Sequence, residues 1–228
     1  MEKSHFFITG TDTDVGKTLV STALLHLARQ KGLETAALKP VSAGCDHSEE
    51  GLRNSDALAL QQTMTAKLRY EEVNPIALEP AIAPHIAAAQ VGKAMDVDAL
   101  SRWCQSILKT SYPFVLMEGA GGWRVPLNPK ETLADLANSL NLKIILVVGM
   151  RLGCLNHALL TAEAIARDGL HLAGWVANQL DDDMLVVEEN LATLAHRFHA
   201  PCIGHIPFLH KPCAIDAAKY LDIDKLLD

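Results

Sequence analysis

The segment Gly10–Thr18 places the strongest constraint on what this chain can fold into. It reads Gly10-Thr-Asp-Thr-Asp-Val-Gly-Lys-Thr18, follows the apolar run His5–Thr9 and opens a helical pattern. Backbone N–H groups of such a loop, together with the start of a helix, attract anions, which predicts a phosphate-binding loop. Lys17 would reach the β- and γ-phosphates of a nucleotide, and Thr18 would offer its hydroxyl to Mg²⁺. Five residues separate the two glycines, one more than is common, and the alternative is a glycine-rich turn without a ligand.

Apolar runs alternate with amphipathic helical patterns along the whole chain. Continuous apolar runs between helices predict a mostly parallel sheet with helices on both faces, in an α/β fold that forms a single domain over residues 1–228. The predicted strands are His5–Thr9, Thr35–Lys39, Phe114–Glu118, Lys143–Gly149, Leu172–Asn178 and Cys202–Ile206. The predicted helices are Gly16–Lys31, Asp56–Met64, His85–Val91, Val97–Lys109, Thr132–Leu140, Asn156–Asp168, Asp183–His199 and the C-terminus. The polar stretch Ser42–Asn54 is predicted to be a loop.

The composition excludes several classes of protein. Of 228 residues, 49% are hydrophobic and 21% are charged, which excludes a disordered chain. A net charge of −7 with only 5% aromatic residues argues against nucleic-acid binding. The apolar run Ile144–Val148 is far shorter than the roughly 20 residues of a membrane span, so no membrane partner is expected. Five scattered cysteines, no Cys-x-x-Cys and no signal-peptide pattern predict a cytoplasmic protein with free thiols.

Charged residues stand at the carboxyl ends of two predicted strands, where ligands of parallel sheets bind. Lys39 could neutralise a transferring phosphoryl group there, or it could be a strand-end lysine whose ammonium stays in solvent. Glu118 ends an apolar strand and, with Asp56, is a candidate ligand of nucleotide-bound Mg²⁺. Asp56 could instead be an acid that favours a helix N-terminus.

Other polar residues allow two interpretations each. The carboxylates of Asp12 and Asp14 would repel a triphosphate, so they face a metal-bound water, a cationic substrate group or solvent. Asn178 ends a strand and could recognise a purine edge, or it could belong to an ordinary turn. His196 and His199 could share a metal, but without a third ligand solvent exposure is favoured.

Taken together, several stretches of this chain resemble the dethiobiotin synthetase family. They span nearly the whole chain in the family's order, and as a set they are specific to it. The stretches are Thr9–Thr18, Lys39–Val41, Glu50–Leu60, Pro84–His85, Glu118–Trp123, Ile145–Gly149, Leu152–His157, Gly174–Asn178 and Gly204–Pro207.

The resemblance implies a P-loop NTPase-like fold, a homodimer and a ligase of biotin biosynthesis. Its substrates would be ATP, CO₂ and 7,8-diaminopelargonic acid, with Mg²⁺ as the cofactor. One amine would capture CO₂ as a carbamate, a carbamate oxygen would attack the γ-phosphoryl group, and the second amine would close the ureido ring of dethiobiotin and expel phosphate. A diamine substrate would also account for the acidic residue Asp12 in the phosphate loop.

The resemblance also implies site residues. Lys17 and Lys39 would be catalytic, and Thr18, Asp56 and Glu118 would hold the metal. The nucleotide site would comprise Asp14, Val15, Gly16, Lys17, Thr18, Asp56, Glu118, Gly119, Ala120, Gly121, Asn178, Gln179, Pro207, Phe208 and Leu209. The substrate would contact Asp12, Thr13 and Ala43, and its carboxylate tail would bind Leu152, Gly153, Cys154 and Asn156 of the partner subunit. Ala43 departs from the family pattern, which often has a hydroxyl residue directly before Gly44.

Two other classes of protein share parts of this pattern. A partitioning or maturation ATPase would usually carry a second lysine near the start of the phosphate loop, and Thr9–Val15 has none. A GTPase would read its base with an Asn-Lys-x-Asp motif, but here Gln179 stands in place of the lysine between Asn178 and Asp181. Neither class requires a diamine and bicarbonate for nucleotide turnover, so that requirement separates them from a synthetase.

Overall fold

The computed structural model describes residues 3–227. The strands are β1 Ser4–Gly10, β2 Thr35–Leu38, β3 Val41–Ser42, β4 Asp46–Ser48, β5 Gly51–Arg53, β6 Ile76–Ala77, β7 Phe114–Glu118, β8 Lys143–Met150, β9 Leu172–Gln179 and β10 Cys202–Ile206. The helices are α1 Lys17–Gln30, α2 Ser55–Thr63, α3 Tyr70–Val73, α4 Pro84–Gln90, α5 Val97–Leu108, α6 Leu133–Ser139, α7 Cys154–Arg167, α8 Val187–Arg197, α9 Ala214–Ala218 and α10 Asp224–Leu227.

Six parallel strands form the central sheet in the order β10-β9-β8-β1-β7-β2. The sheet confirms the predicted parallel α/β architecture. Because β7 and β8 lie on either side of β1, the loops that follow these three strands meet at one edge. The phosphate loop, Glu118 and the start of α7 therefore come from neighbouring strand ends, where open α/β sheets bind ligands.

The two faces of the sheet are buried in two separate cores. Along β8, Ile145 and Val147 belong to the larger core, whereas Leu146 and Val148 belong to the smaller one. Successive side chains of a strand point to opposite faces, so this division follows from the two-residue period. The smaller core is closed by α7 and α8, and Trp175 of β9 packs there edge-on against Phe198 with ring centroids 5.3 Å apart. Burial on both faces explains why the strands read as continuous apolar runs.

Two differences from the sequence prediction have a clear local cause. Ser42–Asn54, predicted to be a loop, contains the antiparallel hairpin β4–β5, whose turn is closed by a hydrogen bond from Ser48 Oγ to the Gly51 carbonyl oxygen (2.7 Å). Helix α8 begins at Val187, four residues later than predicted. The Asp181 carboxylate accepts the Asp183 N–H (3.0 Å), and such a local turn competes with helix formation.

The structure also bears on two features of the composition. No helix within residues 3–227 is long and apolar enough to cross a membrane. Cys45, Cys104, Cys154, Cys202 and Cys213 are all free thiols, as the sequence predicted.

Candidate active site

The phosphate loop is held in place by contacts that leave little room for side chains. Gly16 caps α1 with φ +90°, a left-handed conformation that favours glycine. A Cβ atom at Gly16 would lie 2.2 Å from Asn178 Nδ2, and that same nitrogen donates a hydrogen bond to the Val15 carbonyl oxygen (2.9 Å). Asn178 therefore holds the loop from β9 through one N–H of its amide.

A second set of contacts attaches the loop to β8. The Thr11 N–H donates to the Val147 carbonyl oxygen (3.0 Å), and the Gly149 N–H donates to Thr11 Oγ1 (3.2 Å). The Val15 side chain is buried so close to Gly149 that a Cβ at Gly149 would lie 2.7 Å from Val15 Cγ1. Val15 thus shapes the loop by packing beneath it.

Lys39, directly after β2, is the centre of a buried charge cluster. Its Nζ donates to Glu118 Oε1 (2.7 Å), Asp56 Oδ2 (3.1 Å) and the Gly119 carbonyl oxygen (3.1 Å). Only 3% of Lys39 is exposed, so the alternative of a solvent-exposed strand-end lysine is wrong. Asp56 lies in the first turn of α2, as one of its two sequence interpretations expected, and it also pairs with Lys39.

Glu118, at the end of β7, is fully buried and accepts hydrogen bonds from three side chains. Thr18 Oγ1 donates to Oε1 (2.8 Å), in addition to Lys39, and Ser21 Oγ donates to Oε2 (2.8 Å). A buried carboxylate needs such partners to remain charged. Thr18 and Ser21 both belong to α1, so Glu118 fixes the phosphate-loop helix against the sheet.

The pKa values of these groups depend on the balance between burial and neighbouring charges. Burial and then the nearby Lys39 ammonium lower the pKa of Lys17 to about 8. Burial would also lower the pKa of Lys39, but the Glu118 and Asp56 carboxylates outweigh it and raise that pKa above its usual range. Burial acts to raise the pKa of Asp56, yet Lys39 overcomes it and lowers that pKa. Lys17 is therefore a buried cation that has no carboxylate within hydrogen-bonding distance in residues 3–227, and it lies at the loop where an anion is expected.

A cavity of about 940 Å³ opens in front of this cluster, which is within the range of small-ligand pockets. It brings together many of the predicted site residues, namely Thr13, Asp14, Gly16, Lys17, Thr18, Lys39, Ala43, Asp56, Ala120 and Gly121. Sequence reasoning missed its other lining residues, which are Ser42, Asn54, Ala81, Ile82, Ala83, Pro84, Arg124, Val125 and Pro126. The apolar residues at 81–84 include no acid, base or nucleophile, and the three-dimensional structure assigns them to this wall.

The remaining predicted residues lie outside the lining of this cavity within the described chain. Val15, Glu118, Gly119 and Asn178 stand behind the lining through the contacts described above. Gln179 and the segment 207–209 lie at the ends of β9 and β10, further along the same sheet edge. Asp12 is turned toward Arg151, with which it forms an ion pair, so its charge is compensated without a substrate.

The predicted tail-binding segment at the start of α7 also lies outside the lining of the cavity. Leu152, Gly153 and Asn156 are exposed or partly exposed, and Cys154 is buried beneath them. The Leu152 side chain is fully exposed.

The Ala43 position can be compared directly with its neighbour Ser42. The Ser42 hydroxyl is buried and donates to Asn74 Oδ1 (2.7 Å), whereas Ala43 is partly exposed at the cavity wall. Both residues line the cavity, and the Ser42 hydroxyl is already bonded to Asn74.

Comparison with known proteins places this geometry in a family. The model of a family described as an AAA domain matches residues 4–213. The ATP-dependent dethiobiotin synthetase BioD of Cellvibrio japonicus (strain Ueda107) is 61% identical over 228 residues, covering 100% of both chains. The chain belongs to the dethiobiotin synthetase family. A second dethiobiotin synthetase, from Pseudomonas paraeruginosa (strain DSM 24068 / PA7), is 54% identical and covers 97% of both chains.

A solved structure extends the likeness to the fold. The chloroplast FtsY of Physcomitrella patens superposes with a TM-score of 0.51 at 15% identity, over 100% of this chain. This chain spans 66% of the length of that protein. At this identity the comparison shows the fold alone, and it is the P-loop NTPase-like fold that the sequence predicted for a dethiobiotin synthetase.

Proposed function

We propose that this protein synthesises dethiobiotin by closing the ureido ring of 7,8-diaminopelargonic acid with CO₂ at the expense of ATP. The observation that carries the proposal is the arrangement of Lys17 and Lys39 on one side of a nucleotide-sized cavity whose walls include the phosphate loop. Full-length identity of 61% to a named dethiobiotin synthetase supports the same assignment.

In the proposed reaction, one amine of the substrate attacks CO₂ and loses a proton, which gives a carbamate. A carbamate oxygen then attacks the γ-phosphorus and ADP leaves, so that a carbamic–phosphoric anhydride forms. The second amine attacks the carbonyl carbon, the C–O bond to phosphate breaks, and the ring closes with loss of a proton. Carbamate and ATP are both anions, so their approach requires cations at fixed positions.

The chain supplies two such cations. Lys17 Nζ donates to the Asp12 carbonyl oxygen (3.0 Å), which places its ammonium inside the curve of the phosphate loop, where the β- and γ-phosphates would lie. We assign Lys39 to the transferring phosphoryl group, because it lines the cavity beside Gly119 and Glu118. Thr13 and Asp14, at the exposed end of the loop, are assigned to the carbamate and the nucleotide.

The donor set near Lys17 fits Mg²⁺. Thr18 and Asp56 line the cavity with oxygen ligands, and 40% of the Asp56 side chain is exposed. Magnesium bound to nucleotides usually takes one or two carboxylates together with phosphate oxygens. We assign the ion to Thr18 and Asp56, with Glu118 holding Thr18 from behind, and it would neutralise charge on the phosphates.

The substrate tail and the dimer are proposed together. The segment Leu152–Asn156 lies at the N-terminus of α7, where free N–H groups favour a carboxylate. Leu160 on α7 and Leu185 and Val186 before α8 are exposed, and this apolar surface suits a second copy of the chain. We propose a homodimer in which this segment binds the substrate tail of the other subunit. Free thiols and a net charge of −7 support a cytoplasmic enzyme with no nucleic-acid or membrane partner.

The tail assignment predicts a strong preference for the free acid of the substrate. Esterification removes the charge that the N–H groups of α7 would bind, and a hydrogen bond to a charged group contributes about 1.5–3 kcal/mol. The KM of the methyl ester should therefore be at least about tenfold higher. Equal KM values for ester and acid, or full activity in a monomer demonstrated by ultracentrifugation, would contradict the shared site.

The Ala43 departure predicts a gain from restoring the hydroxyl. An Ala43→Ser variant should lower the KM for the diamine by about 2- to 10-fold, the equivalent of one net hydrogen bond of about 0.5–1.5 kcal/mol. Ser42→Ala is the comparison variant: its hydroxyl is bonded to Asn74, so its KM for the diamine should stay within about twofold of wild type, whatever happens to kcat. Loss of substrate binding in Ser42→Ala alone would show that Ser42 is the contact.

The proposed function is tested by phosphate release from ATP, with dethiobiotin identified by mass spectrometry. Turnover should require the diamine, bicarbonate and Mg²⁺ together. Rapid ATP or GTP hydrolysis without the diamine would favour a nucleotide-driven ATPase or GTPase and overturn the proposal.

A further inference from the structure

A buried chain of hydrogen bonds lies behind the cluster of Lys39 and Asp56. Asn74 Nδ2 donates to the Lys39 carbonyl oxygen (2.6 Å), and the Tyr70 hydroxyl donates to Asn74 Oδ1 (2.9 Å). The same hydroxyl oxygen accepts the Asn54 N–H (2.7 Å). These side-chain and backbone groups thus connect the end of β2 to the start of α2.

This series of hydrogen bonds connects Lys39 with the helix that carries Asp56. Asn54 is the N-cap of α2, with its Oδ1 accepting the Ala57 N–H (3.2 Å), and Asp56 lies in the first turn of that helix. The Lys39 N–H donates to the Val73 carbonyl oxygen (2.8 Å), so α3 and Asn74 hold both polar groups of the Lys39 backbone. The spacing of Lys39 and Asp56 therefore depends on α3.

Burial makes this arrangement specific. Asn54, Tyr70 and Asn74 are 6%, 7% and 3% exposed, so each of their polar groups needs a partner inside the protein. Asn74 Oδ1 accepts from both Tyr70 and Ser42, which fixes the orientation of its amide toward Lys39. A buried network with its members satisfied favours one arrangement of the backbone over nearby alternatives.

We propose that Tyr70 and Asn74 are positioning residues, which hold Lys39 and Asp56 at the spacing where one ammonium reaches both Asp56 and Glu118. Neither Tyr70 nor Asn74 lines the cavity, so they act through the other residues. The inference rests on the proposed function, because it assigns Lys39 to phosphoryl transfer and Asp56 to Mg²⁺. Residues that orient metal ligands commonly affect metal affinity or activity by about 10–100-fold.

The first test compares two tyrosine-to-phenylalanine variants. Tyr70→Phe removes the acceptor of the Asn54 N–H and should lower kcat at least about tenfold at saturating ATP and Mg²⁺. Tyr112→Phe is the matched control. Tyr112 packs against the core just before β7 begins, at the amino ends of the strands, whereas the site lies at their carboxyl ends. Equal losses in both variants, or a folded Tyr70→Phe protein with wild-type kcat, would overturn the proposal.

The second test distinguishes positioning from general destabilisation and does not require turnover. Calorimetry measures the binding of a non-hydrolysable ATP analogue with and without Mg²⁺. Tyr70→Phe should reduce the gain in affinity from Mg²⁺ about tenfold, and this reduction should disappear in the Asp56→Asn background. An equal reduction in both backgrounds would show that Tyr70 does not act through Asp56.

Asn74→Asp provides an alternative test if Tyr70→Phe folds poorly. Asn74→Asp preserves volume but replaces the donor to the Lys39 carbonyl oxygen with an acceptor, and it should show the same coupling to Asp56. A wild-type gain from Mg²⁺ in folded Asn74→Asp would overturn the proposal. If wild type makes no dethiobiotin, the proposed function fails, while the binding data still decide whether Tyr70 and Asn74 act through Asp56.

Discussion

A Lys39→Met variant is expected to turn over at least about a hundredfold more slowly than wild type, because removal of one preorganised electrostatic group from an active site commonly costs this much. The methionine keeps the length of the side chain but removes the only ammonium that contacts Glu118 in residues 3–227. The KM for ATP should change much less, since Lys17 and the loop remain. A folded Lys39→Met protein with near-normal kcat would contradict the catalytic assignment.

The same variant should also lose stability, contrary to what the sequence suggests for a strand-end lysine. Lys39 is buried, and Glu118, at 0% exposure, would keep only Thr18 and Ser21 as hydrogen-bond donors. Removing one member of a buried ion pair costs about 3–5 kcal/mol. Thermal unfolding should recover in the double variant Lys39→Met/Glu118→Gln, which neutralises the unpaired carboxylate. Kinetics are therefore compared at a temperature where circular dichroism shows each variant folded.

A Lys17→Met variant is expected to lose nucleotide turnover and to gain stability. Loss of a charged hydrogen bond and of transition-state stabilisation should lower kcat/KM for ATP on the order of a thousandfold. In the free protein, however, the pKa of Lys17 falls from 10.5 to about 8, so keeping it charged costs roughly 3 kcal/mol at pH 7. The uncharged methionine side chain would remove that cost, and the midpoint of thermal unfolding should rise.

The pH dependence of this gain has a definite sign. Below pH 8 Lys17 is protonated in both the folded and the unfolded chain, so the full cost is present. As pH rises from about 8 toward 10.5, the folded protein releases the proton first and wild type becomes relatively more stable. The difference in unfolding free energy between Lys17→Met and wild type should narrow across this range, and a constant difference would contradict the burial cost.

The fold was predictable from the sequence because its determinants are local. The strand Phe114–Glu118 was predicted with the boundaries that the structure has, since a continuous apolar run ends there at a charge. Lys39 and Glu118 were assigned to one site because parallel strands place their carboxyl ends together. The late start of α8 was not predictable, because Val186 adopts φ +50°, a conformation that a β-branched residue rarely takes.

The supporting residues of the site escaped prediction because their partners are distant in sequence. Arg151 pairs with Asp12 across 139 positions, and Tyr70 reaches Asn54 through its hydroxyl rather than through a motif. In the sequence Ser21 is an ordinary polar residue of a helix, and only the structure shows that its hydroxyl donates a hydrogen bond to Glu118. Each such contact depends on the packed arrangement of two elements, which neither element's sequence encodes alone.

The charge cluster at the phosphate loop has a consequence for how quickly ATP is captured. Lys17 and Lys39 are balanced by Asp56 and Glu118, so the four groups sum to zero in a chain whose net charge is −7. Clefts of one sign accelerate the encounter with an oppositely charged ligand by about 10- to 1,000-fold at low ionic strength. The net charge of −7 should therefore repel an incoming nucleotide at long range, and added salt should screen that repulsion. The association rate constant for ATP should consequently increase with ionic strength.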